Sequence, residues 1–184
     1  MINSAEMEVK IKNQDLNLDR QSTFTKWMTE HEKLLRHLIT GFEAKSALQD
    51  ELFQDIALNI WRALPSFRKN STVKTFVARI AHNVLATHVA KAMKSIKTES
   101  DCQSQSERKT LDATPYQALE QQQRQQRLSH AIRQLNLEQR QVLTLALESM
   151  SYQEIADILC ISTNLVGVRL QRAKTTLTQL LEVK

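Results

Sequence analysis

Apolar residues return every three or four positions over most of this chain, the spacing that keeps one face of an α-helix dry. The clearest example is the stretch 50–64. There Leu52, Ile56, Ile60 and Leu64 recur at intervals of four. Asp50, Glu51, Gln54, Asp55 and Asn59 lie around the other side, with Trp61 at the edge. The helix should stop at Leu64-Pro65-Ser66, because the residue before a proline is pushed out of the helical region. Helical pattern fills 24–93 apart from this break and follows a polar N-terminal arm over 1–23. Over 94–113 the text becomes KSIKTESDCQSQSERKTLDA, nearly devoid of apolar residues. Such a segment builds no core and reads as a flexible linker, spanning roughly 25 Å on average and about 65 Å if fully extended.

Helical pattern resumes over 114–184, where polar punctuation marks four starts. Thr114-Pro115-Tyr116-Gln117 offers an N-cap, a proline at the first helical position and a capping-box Gln. Asn136 with Gln139 makes a second start, Ser151 with Glu154 a third, and Ser162 ahead of Leu165 and Val166 a fourth. The run QQQRQQ at 121–126 falls inside the first of these helices and reads as its polar face. In the third, Ile155, Ala156, Ile158 and Leu159 are apolar; in the fourth, Val166, Leu170, Ala173, Leu177 and Leu181 form an inward stripe. The opposite face of the fourth helix carries Thr163, Asn164, Gly167, Arg169, Gln171, Arg172 and Lys174. A very short turn around Cys160-Ile161 joins the last two helices. The expectation is an all-α chain of two small helical domains, the C-terminal one containing a helix-turn-helix.

Composition narrows the function classes. Among 184 residues there are only two glycines and two prolines, which favours helices over a turn-rich β architecture. A net charge of +5 and a pI near 9.3 suit a nucleic-acid partner or a solvated basic face. The opening MINSAEMEVKIKNQD has no apolar core of the signal-peptide kind. No apolar run is long enough for membrane insertion. Cys102 and Cys160 stand far apart in no metal-binding spacing, and read as free thiols of a reducing cytoplasm. HEKLLRH at 31–37 resembles a zincin motif only faintly, because His31 and His37 are six residues apart, as are His82 and His88. A zincin pair must be four apart to share a helix face. No acid/base pair, nucleophile elbow or phosphate-cradling glycine loop occurs, so no catalytic residue, metal or cofactor is expected. The expected class is a binding protein, not an enzyme.

A polar and basic outer face on the second helix of a tight turn fits DNA reading. Arg bonds guanine or phosphate, Asn and Gln bond adenine, and Ser or Thr grip phosphate. The alternative for that block alone is a structural helical hairpin. Taken with the first block, the pattern becomes more specific. DELFQDIALNIWRALPSFRKNSTVKTFVARIAHNVLATHV (50–89) resembles region two, the promoter-melting domain, of bacterial RNA polymerase sigma factors. SYQEIADILCISTNLVGVRLQRAKTTLTQLL (151–181) is similar to their region four. The small size, the linker and the lack of other regions point to the extracytoplasmic-function branch. The rival reading is an autonomous helix-turn-helix transcriptional regulator, which has no need of the acidic helix before Trp61.

The resemblance implies a cytoplasmic factor that binds core RNA polymerase, directs it to specific promoter DNA and favours the opened state of the duplex. It also implies a restraining anti-sigma factor. Asp50, Glu51, Gln54, Asp55, Asn59 and Trp61 would dock on the clamp helices of the polymerase's largest subunit. Phe67 and the loop Arg68, Lys69, Asn70, Ser71 would capture a base flipped out at the minus-ten element. The following helix would offer Lys74, Arg79, His82, Asn83 and Lys91 to the duplex. Ser162, Thr163, Asn164, Leu165, Gly167, Val168, Arg169, Gln171, Arg172 and Lys174 would meet the minus-thirty-five element. The chain departs from the family at Val73, Lys74 and Phe76, where an aromatic, an Arg and a Trp are usual, and at His82, usually Arg. Ala90 interrupts the basic tail. Fewer basic and aromatic contacts imply weaker melting or an unusual promoter. A glycine inside a helix is unfavourable by about 1 kcal/mol relative to alanine. Gly167 is therefore expected to serve close approach to the groove, bringing Val168 to a thymine methyl.

Overall fold

The computed structural model describes residues 4–68, 70–98 and 116–182. Among these residues it has seven α-helices, one 3-10 turn and no strand. Helix α1 spans Ser4–Phe42, α2 Ser46–Ala63 and α3 Val73–Thr98; α4 spans Tyr116–Gln134, α5 Leu137–Leu147, α6 Tyr152–Leu159 and α7 Thr163–Glu182. The expected linker at 94–113 and the Thr114-Pro115 start lie mostly outside the described residues, although α3 continues to Thr98, past the boundary drawn at 94. Likewise α1 crosses the boundary drawn at residue 24 without a break.

Local chemistry accounts for the helix boundaries. Pro65 turns the chain after α2 through a 3-10 turn at Leu64–Ser66, with Leu64 buried beneath it. Thr72 opens α3, its hydroxyl accepting the Thr75 N–H at 3.1 Å. The Asn136 side chain accepts the Gln139 N–H at the start of α5, 2.9 Å away. At Ser151 both arms of a capping box are closed: its hydroxyl accepts the Glu154 N–H and the Glu154 carboxylate accepts the Ser151 N–H. These bonds hold the Glu154 carboxyl below the ordinary carboxylate range. The sequence contains no proline or glycine between α1 and α2, and the break there is made by one side chain. The Glu43 carboxylate accepts the N–H groups of Ala44 and Lys45 at 2.7 and 2.8 Å, supplying acceptors for otherwise unpaired donors ahead of α2.

Helices α1, α2 and α3 pack on one another around Leu35, Leu38, Ile39, Ile56, Ile60 and Leu85. Helices α4 to α7 pack around Leu135, Val142, Leu145, Ile155 and Val166. The predicted stripe of α2 is buried throughout, and that of α7 is buried at Val166, Leu170 and Ala173. At its end the α7 stripe leaves the core, and Leu181 is exposed. The two halves do not stand apart. The C-terminal end of α1 packs on α4 and α5, and α3 packs on α5 and α6, so the buried apolar residues form one continuous cluster.

Space around Gly167 decides what a methyl there would do. A Cβ at this position would meet only the Tyr152 ring, at 3.6 Å, which is an ordinary contact, and the backbone is not left-handed. Gly167→Ala should therefore stabilise the fold by roughly 0.5–1 kcal/mol, raising the midpoint of thermal unfolding. A lower midpoint would show that the methyl has no room.

Candidate nucleic-acid and partner interfaces

Burial of the α2 stripe turns Glu51, Gln54, Asp55 and Asn59 outward, and all four are exposed. Asp50 is exposed as well and lies 3.7 Å from Arg36, whose guanidinium also stacks over the Phe53 ring. Leu58 shares this face, three and four positions after Asp55 and Gln54, and is 45% exposed. Sequence reasoning overlooked it, although its place outside the i, i+4 stripe was the available signal. Trp61, the expected aromatic edge of the surface, is engaged from within. Phe24 meets its ring edge-on at 5.3 Å, and the Arg20 guanidinium lies 4.1 Å from the ring centroid. Arg20 also donates to the Trp61 carbonyl at 2.6 Å, capping the end of α2. The apolar member of this surface that points into solvent is Leu58.

Past the 3-10 turn, Arg68 and Asn70 are exposed and Ser71 is half-buried; Lys69 lies outside the described residues. Phe67 is partly buried, with its ring 4.9 Å from both Trp27 and Phe76. An aromatic cluster therefore anchors the loop base while its polar tip stays in water. Along α3 the expected residues divide. Asn83 and Lys91 are exposed. Lys74 donates to the Glu148 carbonyl at 2.7 Å. Arg79 is half-buried, with its Nε enclosed and unpaired. His82 is buried against the Phe42 ring, 6.3 Å centroid to centroid.

In the second half Cys160 ends α6 in a left-handed conformation, φ 55°, and its thiol is free and exposed. Left-handed backbone is unusual without glycine, and here it makes the short turn before α7. The Ser162 hydroxyl accepts the Leu165 N–H at 3.2 Å, opening α7. The front of α7 presents Asn164, Leu165, Val168, Gln171, Arg172 and Lys174 to solvent, and half-buries Thr163 and Gly167. Arg169 differs from its neighbours. Its guanidinium pairs with Glu138 of α5 at 2.9 Å and is only 18% exposed, so it braces α7 against α5.

Between α3 and the helix-turn-helix lies a cleft of about 390 Å³, lined by His82, Asn83, Thr87, Ile158, Cys160 and Arg169 among others. That holds about a dozen waters, far less than a duplex. The α3 face and the turn before α7 thus look at each other. Among the described residues no group of His, Cys, Asp and Glu has metal-binding geometry, and no helix is long and apolar enough to cross a membrane.

Two family models match the chain: Sigma-70 region 2 over residues 27–95 and Sigma-70, region 4 over residues 125–177. No curated protein sequence matches it. Among solved structures it is similar to the sigma factor RpoE of Bartonella quintana, in a complex with the anti-sigma factor NepR. That likeness has 19% identity, covers 88% of this chain and 98% of that one, and has a TM-score of 0.69. It is also similar to CnrH, in a complex with the cytosolic domain of CnrY, with 21% identity, 89% and 90% coverage and a TM-score of 0.63. At such identities the likeness is one of fold.

Burial lowers the pKa of His82 from 6.5 to about 4. The unfolded imidazole takes up a proton near the upper value and the folded one only near the lower. Stability should therefore fall as pH drops through that window, by up to about 3 kcal/mol. Urea midpoints measured from pH 7 to 4.5 check this. His82→Leu should flatten the profile, and an unchanged slope in that variant would assign the acid sensitivity elsewhere.

Proposed function

The chain belongs to the sigma-70 family, in its extracytoplasmic-function branch, and from that premise we propose how its surfaces divide the work of transcription initiation. It is a sigma factor: it binds core RNA polymerase, directs it to promoter DNA and promotes opening. The observation that carries the division is the presence of region 2 and region 4, in that order, on two halves with different outer faces. One is acidic with a single apolar anchor on α2. The other is polar and basic on α7.

The outer face of α2 docks on the polymerase through Asp50, Glu51, Gln54, Asp55 and Asn59, with Leu58 as the apolar anchor. An apolar side chain ringed by polar ones suits such an interface, because the rim excludes water from the contact. Trp61 supports this face from behind, since Arg20 and Phe24 cover its ring. The loop Arg68–Ser71 and the exposed positions of α3 take the minus-ten element, where polar groups around a pocket offset the few kcal/mol of unpairing a base. On α7, Asn164, Gln171, Arg172 and Lys174 supply donors for bases and phosphates, and Leu165 and Val168 supply apolar contact for thymine methyls. No bond is made or broken in these steps; the protein acts by binding the opened state more tightly. The solved relatives bound to anti-sigma partners support a similar restraint on this chain, which works in the cytoplasm beside the polymerase.

Leu58→Asp places a charge at the centre of the docking face without touching the core. It should weaken association with core polymerase at least about tenfold and lower run-off transcription on genomic fragments, with the unfolding midpoint held within a few degrees. Asn59→Ala on the rim should matter less. Full polymerase binding by Leu58→Asp would remove α2 from the interface. Promoter binding by the chain alone, with no dependence on polymerase, would favour an autonomous regulator.

A further inference from the structure

The second of the two glycines is Gly41, buried near the C-terminal end of α1. A Cβ there would come within 2.7 Å of Thr144 Cγ2, on α5 of the other half, and 3.7 Å of Ile132 Cγ2 on α4. Real Cβ atoms do not approach that closely, and Thr144 is not free to yield. Its hydroxyl donates to the carbonyls of Arg140 and Gln141 at 2.9 and 3.2 Å, which fixes the rotamer that aims Cγ2 at α1. Rotating the methyl away would break both bonds in a residue only 5% exposed. Glycine weakens a helix interior, and the packing of α1 on α5 is what requires it at 41.

Around this contact the halves cap each other. The last carbonyls of a helix have no partner within it and carry the negative end of its dipole. Arg133 of α4 donates to the Thr40 carbonyl at the end of α1, 2.9 Å away. In the other direction Lys74 of α3 donates to the Glu148 carbonyl at the end of α5, at 2.7 Å. His37 of α1 lies 3.0 Å from the Glu148 carboxylate. The Arg140 guanidinium sits 5.7 Å from the Phe42 ring centroid. Each half thus supplies a cation to a helix terminus of the other.

We propose that this seam is a self-inhibitory lock, in which the chain's own second half covers the minus-ten face of α3 until the halves part. The lock rests on the division of surfaces argued above. It occupies the ammonium of Lys74, buries His82 and leaves only the narrow cleft between α3 and the helix-turn-helix. Closed and promoter-bound states therefore exclude each other. Gly41 sets how tightly the closed form fits. A protein active only in a minor open state shows an apparent affinity reduced by the open fraction.

The experiment is a cycle of full-length variants: wild type, Gly41→Ala, Thr144→Ser, which removes only Cγ2, and the pair together. Small-angle scattering of each free chain reads the closure. The concentration giving half-maximal run-off transcription with core polymerase reads its consequence. Wild type and Thr144→Ser should be compact. Gly41→Ala should be extended and act at roughly tenfold lower concentration, and the double variant should return to both wild-type values. If Gly41→Ala loses helix by circular dichroism, Arg133→Ala decides in its place, and should also extend the chain. An extended wild type, a compact Gly41→Ala, or an opening that Thr144→Ser does not reverse would each overturn the lock. Opening with no shift in the transcription midpoint would overturn its inhibitory role. Transcription from none of the variants would instead sink the assignment of function, leaving scattering to decide closure.

Discussion

Everything else in this structure depends on how the end of α1 meets the start of the second half. Two helix C-termini, at Thr40 and Glu148, each receive a cation from across the seam. Between them a glycine brings two helix backbones closer than any side chain would permit. Burial makes these bonds exacting. Arg133 and Arg140 are both depressed by desolvation, and a buried guanidinium without acceptors is strongly unfavourable. Arg140 meets that requirement within its own half, donating to the carbonyls of Arg133 and Leu135. Arg133 meets it with Thr40. The two halves are thus joined by groups that each need a partner, over a continuous apolar cluster.

Most of the helical plan was legible because its boundaries are written in local chemistry. Pro65, Asn136, the Ser151–Glu154 box and Ser162 act within three or four residues of themselves, and each did what its type predicts. The division between α1 and α2 was not legible. It is made by the Glu43 carboxylate turning onto the next two amides, and a glutamate carries no turn signal in sequence. The docking of the halves was hidden for a different reason. Gly41, Thr144, Lys74 and Arg133 are far apart in the chain, and only the assembled backbone shows that they meet.

The candidate surfaces follow the same division. The exposed face of α2 could be drawn from the spacing of its buried stripe alone. Its apolar member could not, because Trp61 is claimed by Arg20 and Phe24 from a helix start that sequence reading had set aside as a polar arm. On α7 the outward positions were foreseen, but a basic residue at an outward register is not necessarily free. Glu138 of α5 turns Arg169 into a brace. Likewise the tertiary packing of α3 takes Lys74 and His82 from the side that helical spacing alone would assign to DNA. Charge and spacing state what a residue can bond; packing states what it is bonding now.

The central claim is that the sigma factor closes on itself and must part its halves to work. Pulsed dipolar spectroscopy tests it most directly, with spin labels at exposed Lys33 on α1 and exposed Gln179 on α7 in a chain whose two native cysteines are replaced. The free protein should give one narrow distance, and the same labels should give a longer one in the complex with core polymerase and promoter DNA. A broad, long distribution in the free chain, or one distance common to both states, would contradict the account.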